Sequence, residues 1–228
     1  MSEVDPAFDA SGHRARLRNR LIEGGEDALL DHELIEYLLM LTTPRRDMKP
    51  TARALLAEFG GFGPLLATEP EALLRAGVTE AQIAAIRIAQ TSAVRLLKSA
   101  TTDRPILGSW QALSDYLHAA MAHRATKSAR VLHLNTKNVL IRDEMISEGS
   151  IDQAAIHVRE VVRRALELHS ASIILVHNHP SGDPQPSKQD IAITREIIAA
   201  CRPLSIAVHD HVIVGSKGQA SLQSMGLM

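Results

Sequence analysis

His177-Asn-His-Pro-Ser-Gly-Asp-Pro-Gln-Pro-Ser-Lys-Gln-Asp190 is the stretch that specifies the second half of the chain. The apolar run Ile173-Ile-Leu-Val176 immediately before it predicts a buried strand that ends at His177. His177 and His179 are two residues apart, so both imidazoles leave the same face of an extended backbone. Pro180 favours an extended conformation for His179 and thereby keeps that geometry. The Pro- and Gly-rich segment that follows predicts a tight turn that reverses the chain.

Ser187 and Asp190 predict the start of a helix that returns toward the two histidines. Ser187-x-x-Asp190 ahead of an apolar run is a capping-box pattern, which by itself accounts for both residues without a metal. Capping and metal ligation are compatible, because a carboxylate in the first helical turn can face a metal while Ser187 caps. Two histidines and one aspartate leave a fourth tetrahedral position open for water, as catalytic zinc sites do. We therefore predict that His177, His179 and Asp190 bind Zn²⁺.

Cysteine content and charge limit the possible functions. Cys201 is the only cysteine, which excludes internal disulfides, Cys-rich zinc sites and the zinc deaminases, and suits a reducing cytoplasm. The first residues are acidic and lack the apolar segment of a signal peptide, and no apolar run is long enough to span a bilayer. We predict a soluble cytoplasmic protein with no membrane partner. A net charge of −1 limits nucleic-acid binding to a local patch, since phosphates attract broad positive surfaces.

The order of periodic segments predicts two domains of different class. Residues 1–12 are predicted to be disordered, residues 13–100 to form a small all-helical domain, and residues 101–108 to form a linker. Residues 109–228 contain strands interleaved with helices, including a hairpin with its turn at 135–138, so a mixed sheet flanked by helices is expected. The fold class is therefore α/β of the α+β kind. Aromatic residues make up only 3% of the chain, so aliphatic cores are expected.

The arrangement H-x-H-x₇-S-x₂-D in residues 177–190 is that of the JAMM (MPN+) metalloprotease motif. Four further segments narrow the resemblance to the bacterial RadC family: Gly12-His-Arg-Ala-Arg-Leu-Arg18, Pro44-Arg-Arg-Asp-Met-Lys-Pro50, Arg159-Glu-Val-Val162 and Asp210-His-Val-Ile-Val-Gly215. The resemblance runs from about residue 12 to the end of the chain. It implies a JAB/MPN domain, which is a curved sheet between helices, after a helix-hairpin-helix-like region.

The resemblance also implies a hydrolase. In such an enzyme a zinc-activated water attacks a peptide or isopeptide carbonyl, and Ser187 matches the serine that helps to hold the oxyanion. A glutamate outside the ligand set acts as the general base, in a segment of the form Glu-x-Phe-x-x-Leu. The corresponding stretch here is Lys127-Ser-Ala-Arg-Val-Leu132, which places Lys127 or Ser128 at the position of the carboxylate. A protonated lysine cannot accept a proton, so this chain departs from the family at the catalytic base.

Glu160 is the acidic residue that we predict as an alternative base. It lies in the family-like segment Arg159-Glu-Val-Val162. The same residue is also explained as a carboxylate near a helix N-terminus, where negative charge is favourable.

His209, Asp210 and His211 lie on the last long strand predicted from the sequence. Strict alternation puts the two histidines on one face and Asp210 on the other. Three ligands are already assigned, so we predict that these residues orient the metal-bound imidazoles or pack in the core.

The helical region contains two features of DNA-binding modules. Leu73-Leu-Arg-Ala-Gly77-Val-Thr79 resembles a helix-hairpin-helix loop in which Gly77 lets backbone amides approach a phosphate, but Thr79 replaces the second glycine. Arg14, Arg16, Arg18 and Arg20 form two short positive stripes on a helix. Residues 1–100 hold 12 Lys+Arg against 14 Asp+Glu, a net of −2, so these residues predict at most weak, sequence-independent DNA contact.

Three functions remain open from the sequence. The first is a zinc metallopeptidase that uses His177, His179 and Asp190 for the metal and Ser187 for the oxyanion. The second is a zinc-binding JAMM module with weak or no turnover, which acts as a scaffold. The third is a factor in DNA repair or recombination. The ligand set favours the first two functions over the third. Lys127 counts against the first function and supports the second.

Overall fold

The computed structural model describes residues 10–25, 27–43, 46–101, 105–106, 110–149 and 156–228. Its contacts divide the chain into two units, Met1–Ser92 and Ala93–Met228. Of the segment predicted to be disordered, residues 1–9 lie outside the described residues, and the first helix already begins at Ala10. Most of the predicted linker, residues 102–104 and 107–108, also lies outside them.

Helices and turns account for the described residues of the first unit, as the sequence predicts. The helices are α1 (Ala10–Glu23), α2 (Asp31–Met40), α3 (Lys49–Phe59), α4 (Phe62–Ala67), α5 (Pro70–Arg75) and α6 (Glu80–Ser99), whose last seven residues belong to the second unit. Gly60 ends α3 in the left-handed conformation, with φ 81°, which glycine adopts readily because it has no Cβ. The core of this unit is aliphatic, with Leu17, Ile35, Leu39, Leu55, Leu65, Leu73 and Ile86 all buried.

The second unit is built around one mixed sheet. Its elements are α7 (Trp110–Met121), β1 (Ser128–Leu134), β2 (Leu140–Glu148), α8 (Val158–Glu167), β3 (Ser172–Asn178), α9 (Lys188–Cys201), β4 (Ala207–Gly215) and β5 (Gly218–Ser221). The strand order is β2-β1-β3-β4-β5. Only the β3–β4 pair is parallel, which confirms the predicted α+β class. The short strand β5 was not predicted.

The central strand β3 is covered on both faces, which explains why its sequence is a continuous apolar run. Ile174 and Val176 pack with α7 on one face of the sheet. Ile173 and Leu175 pack with α8 and α9 on the other face. His177 follows Ile173 and Leu175 at intervals of two, so it belongs to the face that α9 covers.

A register irregularity in β4 changes the predicted alternation. Val208 pairs with Ile173, whereas the next pair is Asp210 with Ile174, so His209 is an extra residue at this point. The expectation that His209 and His211 share a face assumed an unbroken strand, and a β-bulge removes that assumption.

The helices of the described residues are all too short or too polar to cross a membrane.

Acid should destabilise the second unit through His133, a fully buried residue of β1. Burial lowers the pKa of His133 to about 4 from its ordinary 6.5. Between these values the unfolded chain binds the proton and the folded one does not, so the stabilisation present above pH 6.5 is lost as the pH falls. One such proton contributes about 1.4 kcal/mol per pH unit to the slope of the free energy of unfolding against pH. Urea unfolding of the metal-free protein from pH 4 to 7 measures this slope, and His133→Gln should reduce it by up to that amount.

Exposed His157 at the start of α8 provides the control, and His157→Gln should leave the slope of stability against pH unchanged. An unchanged slope in His133→Gln would show that His133 does not titrate in this way.

Candidate metal centre

The end of β3 and the first turn of α9 bring three metal-binding side chains together. The Nε2 atoms of His177 and His179 are 2.9 Å apart. The carboxylate of Asp190 lies beside both, with Oδ1 3.2 Å from Nε2 of His177 and Oδ2 3.5 Å from Nε2 of His179. The ligand atoms of the three residues lie within 4.8 Å of one another, and no other such group of His, Cys, Asp or Glu occurs among the described residues. This cluster can therefore hold a metal ion.

The protonation of His179 fits a metal ligand. Its Nδ1 lies 2.8 Å from the carbonyl oxygen of Asp183. A carbonyl can only accept a hydrogen bond, so Nδ1 carries the proton of the neutral ring and Nε2 presents a lone pair to the cluster. A backbone oxygen that orients the ring in this way is a common partner of metal-bound histidine.

His177 and Asp190 carry the charges that a cation needs. Burial lowers the pKa of His177 well below its usual range, and the neighbouring His211 lowers it further, so the imidazole is neutral. Burial would raise the pKa of Asp190, but the contacts with His179 and His177 and the hydrogen bonds that Ser187 donates lower it overall, so the carboxylate is ionised. Two imidazoles and one carboxylate are the ligand chemistry of catalytic zinc sites.

Ser187 holds the Asp190 carboxylate in place. It is the N-cap of α9, and its Oγ accepts a hydrogen bond from the Asp190 amide at 3.1 Å. The Ser187 amide and hydroxyl donate to Oδ2 of Asp190 at 2.8 and 2.6 Å, which turns Oδ1 toward His177. The predicted combination of capping and cluster formation is present. The oxyanion role of Ser187 stays a prediction.

Two glycines let the loop that carries His179 pack directly against the end of β4. A Cβ atom at Gly215 would lie 2.3 Å from the carbonyl oxygen of Gly182. The same oxygen accepts a hydrogen bond from the Lys217 amide at 3.0 Å, and the His179 amide donates to Val214 at 2.8 Å. Backbone contacts therefore fix the loop, and a side chain at Gly215 would displace it.

Lys127 lies at the cluster. Its Nζ is 3.8 Å from Oδ1 of Asp190, and about a fifth of its side chain is exposed (22%). The sequence placed Lys127 or Ser128 at the position of the family's catalytic glutamate, and Lys127 lies beside a candidate ligand.

Asn178 positions the segment that carries Lys127, a role that sequence reasoning missed. Its buried side chain accepts hydrogen bonds from the Ser128 amide and hydroxyl at 2.7 and 2.8 Å and donates to the Thr126 carbonyl at 3.0 Å. The sequence did contain a signal for this role. Asn178 lies between two histidines, and strand alternation turns the middle side chain to the opposite face of the sheet.

The three residues predicted to orient the ligands have separate environments. His211 is fully buried, with Nε2 2.8 Å from Nδ1 of His177, and burial lowers its pKa to about 4. His209 instead lies at the bulge, where Nε2 donates to Asn138 at 2.8 Å. Asp210 accepts from the Ser221 hydroxyl and the Gln223 amide at 2.6 and 3.0 Å, and so holds β5 and the following turn. The structure brings only His211 to the cluster.

Glu160 lies in the first turn of α8 with 47% of its side chain exposed. Its carboxylate accepts hydrogen bonds from Arg163 at 2.8 and 3.0 Å. Among the described residues, no hydrogen bond or ion pair joins Glu160 to the three clustered side chains. Its role as a base stays a prediction.

The residues proposed for DNA contact all lie in the first unit. Arg16, Arg18 and Arg20 are exposed on α1 and Arg14 is half-buried. Arg20 donates to Glu33 at 2.7 and 2.9 Å and to the Ala28 carbonyl at 2.6 Å, so its guanidinium is already engaged within the unit.

The loop between α5 and α6 has the backbone expected of a hairpin. Gly77 has φ 81°, and no atom lies within 4 Å of the position that a Cβ would take there. The Thr79 amide donates to Oε1 of Gln82 at 3.0 Å, and Oγ1 of Thr79 accepts from the Gln82 amide at 3.4 Å. Thr79 therefore caps α6 at the position where the DNA-binding loop has its second glycine.

Known proteins resemble the chain over almost its full length. The protein family described as RadC-like JAB domain matches residues 107–227. A UPF0758 protein of Rhodobacter capsulatus is 48% identical over 213 residues, which are 93% of this chain and 100% of that protein. A UPF0758 protein of Ruegeria pomeroyi is 46% identical over 217 residues, 95% of this chain and 97% of that protein. The similarity extends well beyond the residues that match the JAB domain.

Substitution of single histidines should distinguish the metal ligands from histidines that only lie nearby. His179→Ala should lose most of the bound metal, because two ligands hold an ion much less tightly than three, whereas His209→Ala should retain it because His209 bonds Asn138 instead. Metal per chain after dialysis, measured by elemental analysis, tests this expectation. Equal losses from both variants would mean that the ligand assignment is wrong.

A methyl group at Gly215 should weaken metal binding without touching a ligand. The clash in Gly215→Ala is with a backbone oxygen, so no side-chain rotation relieves it and the His179 loop must move. We expect the zinc dissociation constant to rise about 10–100-fold, as for other residues that support metal ligands. Titration against a competing chelator measures it, with Ser216→Ala as the control. Unchanged affinity in Gly215→Ala would show that the loop position does not matter.

Proposed function

The chain belongs to the RadC family and contains its JAB-type domain, and from this premise we propose that it is a zinc-dependent hydrolase of the metallopeptidase type. The proposed substrate is a peptide or isopeptide bond in a peptide or protein. The observation that carries the proposal is the convergence of His177, His179 and Asp190 within 4.8 Å. Three such ligands leave the fourth zinc position for water or substrate, which distinguishes a catalytic site from a structural one.

Zinc in this position supplies an activated water and polarises the substrate carbonyl. The rest of the chemistry belongs to the chain. The neutral imidazole of His177, the imidazole of His179 and the ionised Asp190 would hold the cation. The Ser187 hydroxyl bonds Asp190 at 2.6 Å, and rotation about its Cα–Cβ bond would let it donate to the substrate oxyanion instead.

Lys127 determines how fast such an enzyme can be. An ammonium beside Asp190 cannot accept the proton of the attacking water, and general-base catalysis is worth about 10²–10⁴-fold. Ser128, the residue after Lys127, is fixed by buried hydrogen bonds to Asn178. The backbone that carries Lys127 is therefore held beside the cluster. We therefore expect slow hydrolysis by the natural sequence.

A zinc-binding module without turnover is the second candidate. The observation that favours it is the same Lys127–Asp190 contact at 3.8 Å, because the ammonium would compete with a metal ion for the Asp190 carboxylate. In that case the domain would act as a scaffold for a partner protein.

Substitution of Lys127 tests the proposal. With zinc-loaded protein and peptide and isopeptide substrates at neutral pH, Lys127→Glu should raise kcat/KM at least about tenfold by restoring a proton acceptor. Lys127→Gln removes the charge without adding a base, so any gain that it shares with Lys127→Glu reflects charge alone. Glu160→Gln should leave the rate unchanged, since Glu160 is bound to Arg163.

Two outcomes would contradict this account. A fast wild type that Glu160→Gln abolishes would make Glu160 the base. Zinc binding without hydrolysis in every variant, including Lys127→Glu, would favour the scaffold function.

A further inference from the structure

A buried chain of hydrogen bonds runs from α9 through β4 to the first candidate ligand. Thr194 and His211 are both fully buried. Oγ1 of Thr194 lies 2.5 Å from the Asp190 carbonyl oxygen and 2.6 Å from Nδ1 of His211. Nε2 of His211 lies 2.8 Å from Nδ1 of His177. This series of hydrogen bonds thus begins at the backbone of one candidate ligand, Asp190, and ends at the side chain of another, His177.

The chemistry of these groups fixes which atom donates and which accepts in each hydrogen bond of the series. The Asp190 carbonyl can only accept, so the hydroxyl of Thr194 donates its single proton there. The same oxygen must then accept from Nδ1–H of His211, which leaves Nε2 of that neutral ring as an acceptor. Nδ1 of His177 therefore carries the proton that Nε2 of His211 accepts.

We propose that Thr194 and His211 are positioning residues that hold His177 in the tautomer protonated on Nδ1, so that its Nε2 lone pair faces the metal. This inference rests on the metal-binding half of the proposed function and is independent of turnover. Thr194 and His211 act through His177 and do not themselves touch the metal or the substrate.

The opposite tautomer would remove the metal-binding atom of His177. A proton on its Nε2 would be donated to Nε2 of His179, 2.9 Å away, and would occupy the lone pair that a metal needs. Nδ1 of His177 would then require a donor from His211, and His211 would in turn require one from Thr194. The Asp190 carbonyl would lose the Thr194 hydroxyl. The buried chain therefore reverses only as a unit, and Thr194 sets its direction.

The hydroxyl of Thr194 can be removed with little change of shape. Thr194→Val is nearly isosteric but neither donates nor accepts, whereas Thr194→Ser keeps the hydroxyl. His211→Gln offers an amide oxygen near the position of Nε2, and His211→Leu offers no acceptor. Ser172→Ala is the matched control, because Ser172 is also buried and polar but bonds Asn138.

Two measurements on the full-length protein test the proposal without any substrate. Two-bond ¹H–¹⁵N correlation spectra of ¹⁵N-histidine-labelled metal-free protein report the tautomer of His177, which is assigned by comparison with a His177→Gln spectrum. Competition with a chelator reports the zinc dissociation constant. We expect wild type, Thr194→Ser, His211→Gln and Ser172→Ala to keep the Nδ1–H tautomer and similar zinc affinity.

Thr194→Val and His211→Leu should show mixed tautomers and zinc dissociation constants about 10–100-fold higher. An Nε2–H tautomer in the wild type, or Thr194→Val with unchanged tautomer and affinity, would overturn the proposal. The wild-type spectrum alone tests the predicted tautomer of His177, even if a variant does not fold. Normal tautomers with no hydrolysis would leave this inference standing and count against the proposed activity alone.

Discussion

The candidate metal centre depends on the parallel pairing of β3 with β4. This register sets Leu175 opposite His211 and His177 opposite Ile213, which brings the imidazole of His211 within 2.8 Å of His177. The pairing continues past the end of β3, where the His179 amide donates to the Val214 carbonyl at 2.8 Å. Both histidines are thus held by backbone hydrogen bonds, and α9 then needs only its first turn to add Asp190.

The parts of this centre that could be predicted from the sequence are those set by local spacing. His177 and His179 share a face because strand side chains alternate, and Ser187 and Asp190 meet because a capping box joins residues three apart. The mixed sheet followed in the same way from alternating strand and helix patterns and a hairpin turn. The ligand cluster and the fold class were therefore accessible without coordinates.

The remaining features depend on contacts between residues that are distant in the chain. Thr194 reaches His211 across 17 positions, and Asn178 reaches Ser128 across 50, so no local pattern reports either contact. The bulge at His209 shifts β4 by one residue, and this separates two histidines that strict alternation would have placed together. The strand β5 is only four residues long, too short to show a periodic pattern.

The central claim is that two imidazoles and one carboxylate of this chain hold a zinc ion. The most direct measurement is anomalous diffraction at the zinc edge from crystals of the zinc-loaded protein. The account predicts one zinc peak per chain, bonded to Nε2 of His177, Nε2 of His179 and a carboxylate oxygen of Asp190 at about 2.0–2.2 Å. It further predicts a fourth position that no protein atom fills. A zinc peak elsewhere, no peak at this cluster, or a fourth protein ligand closing the site would contradict it.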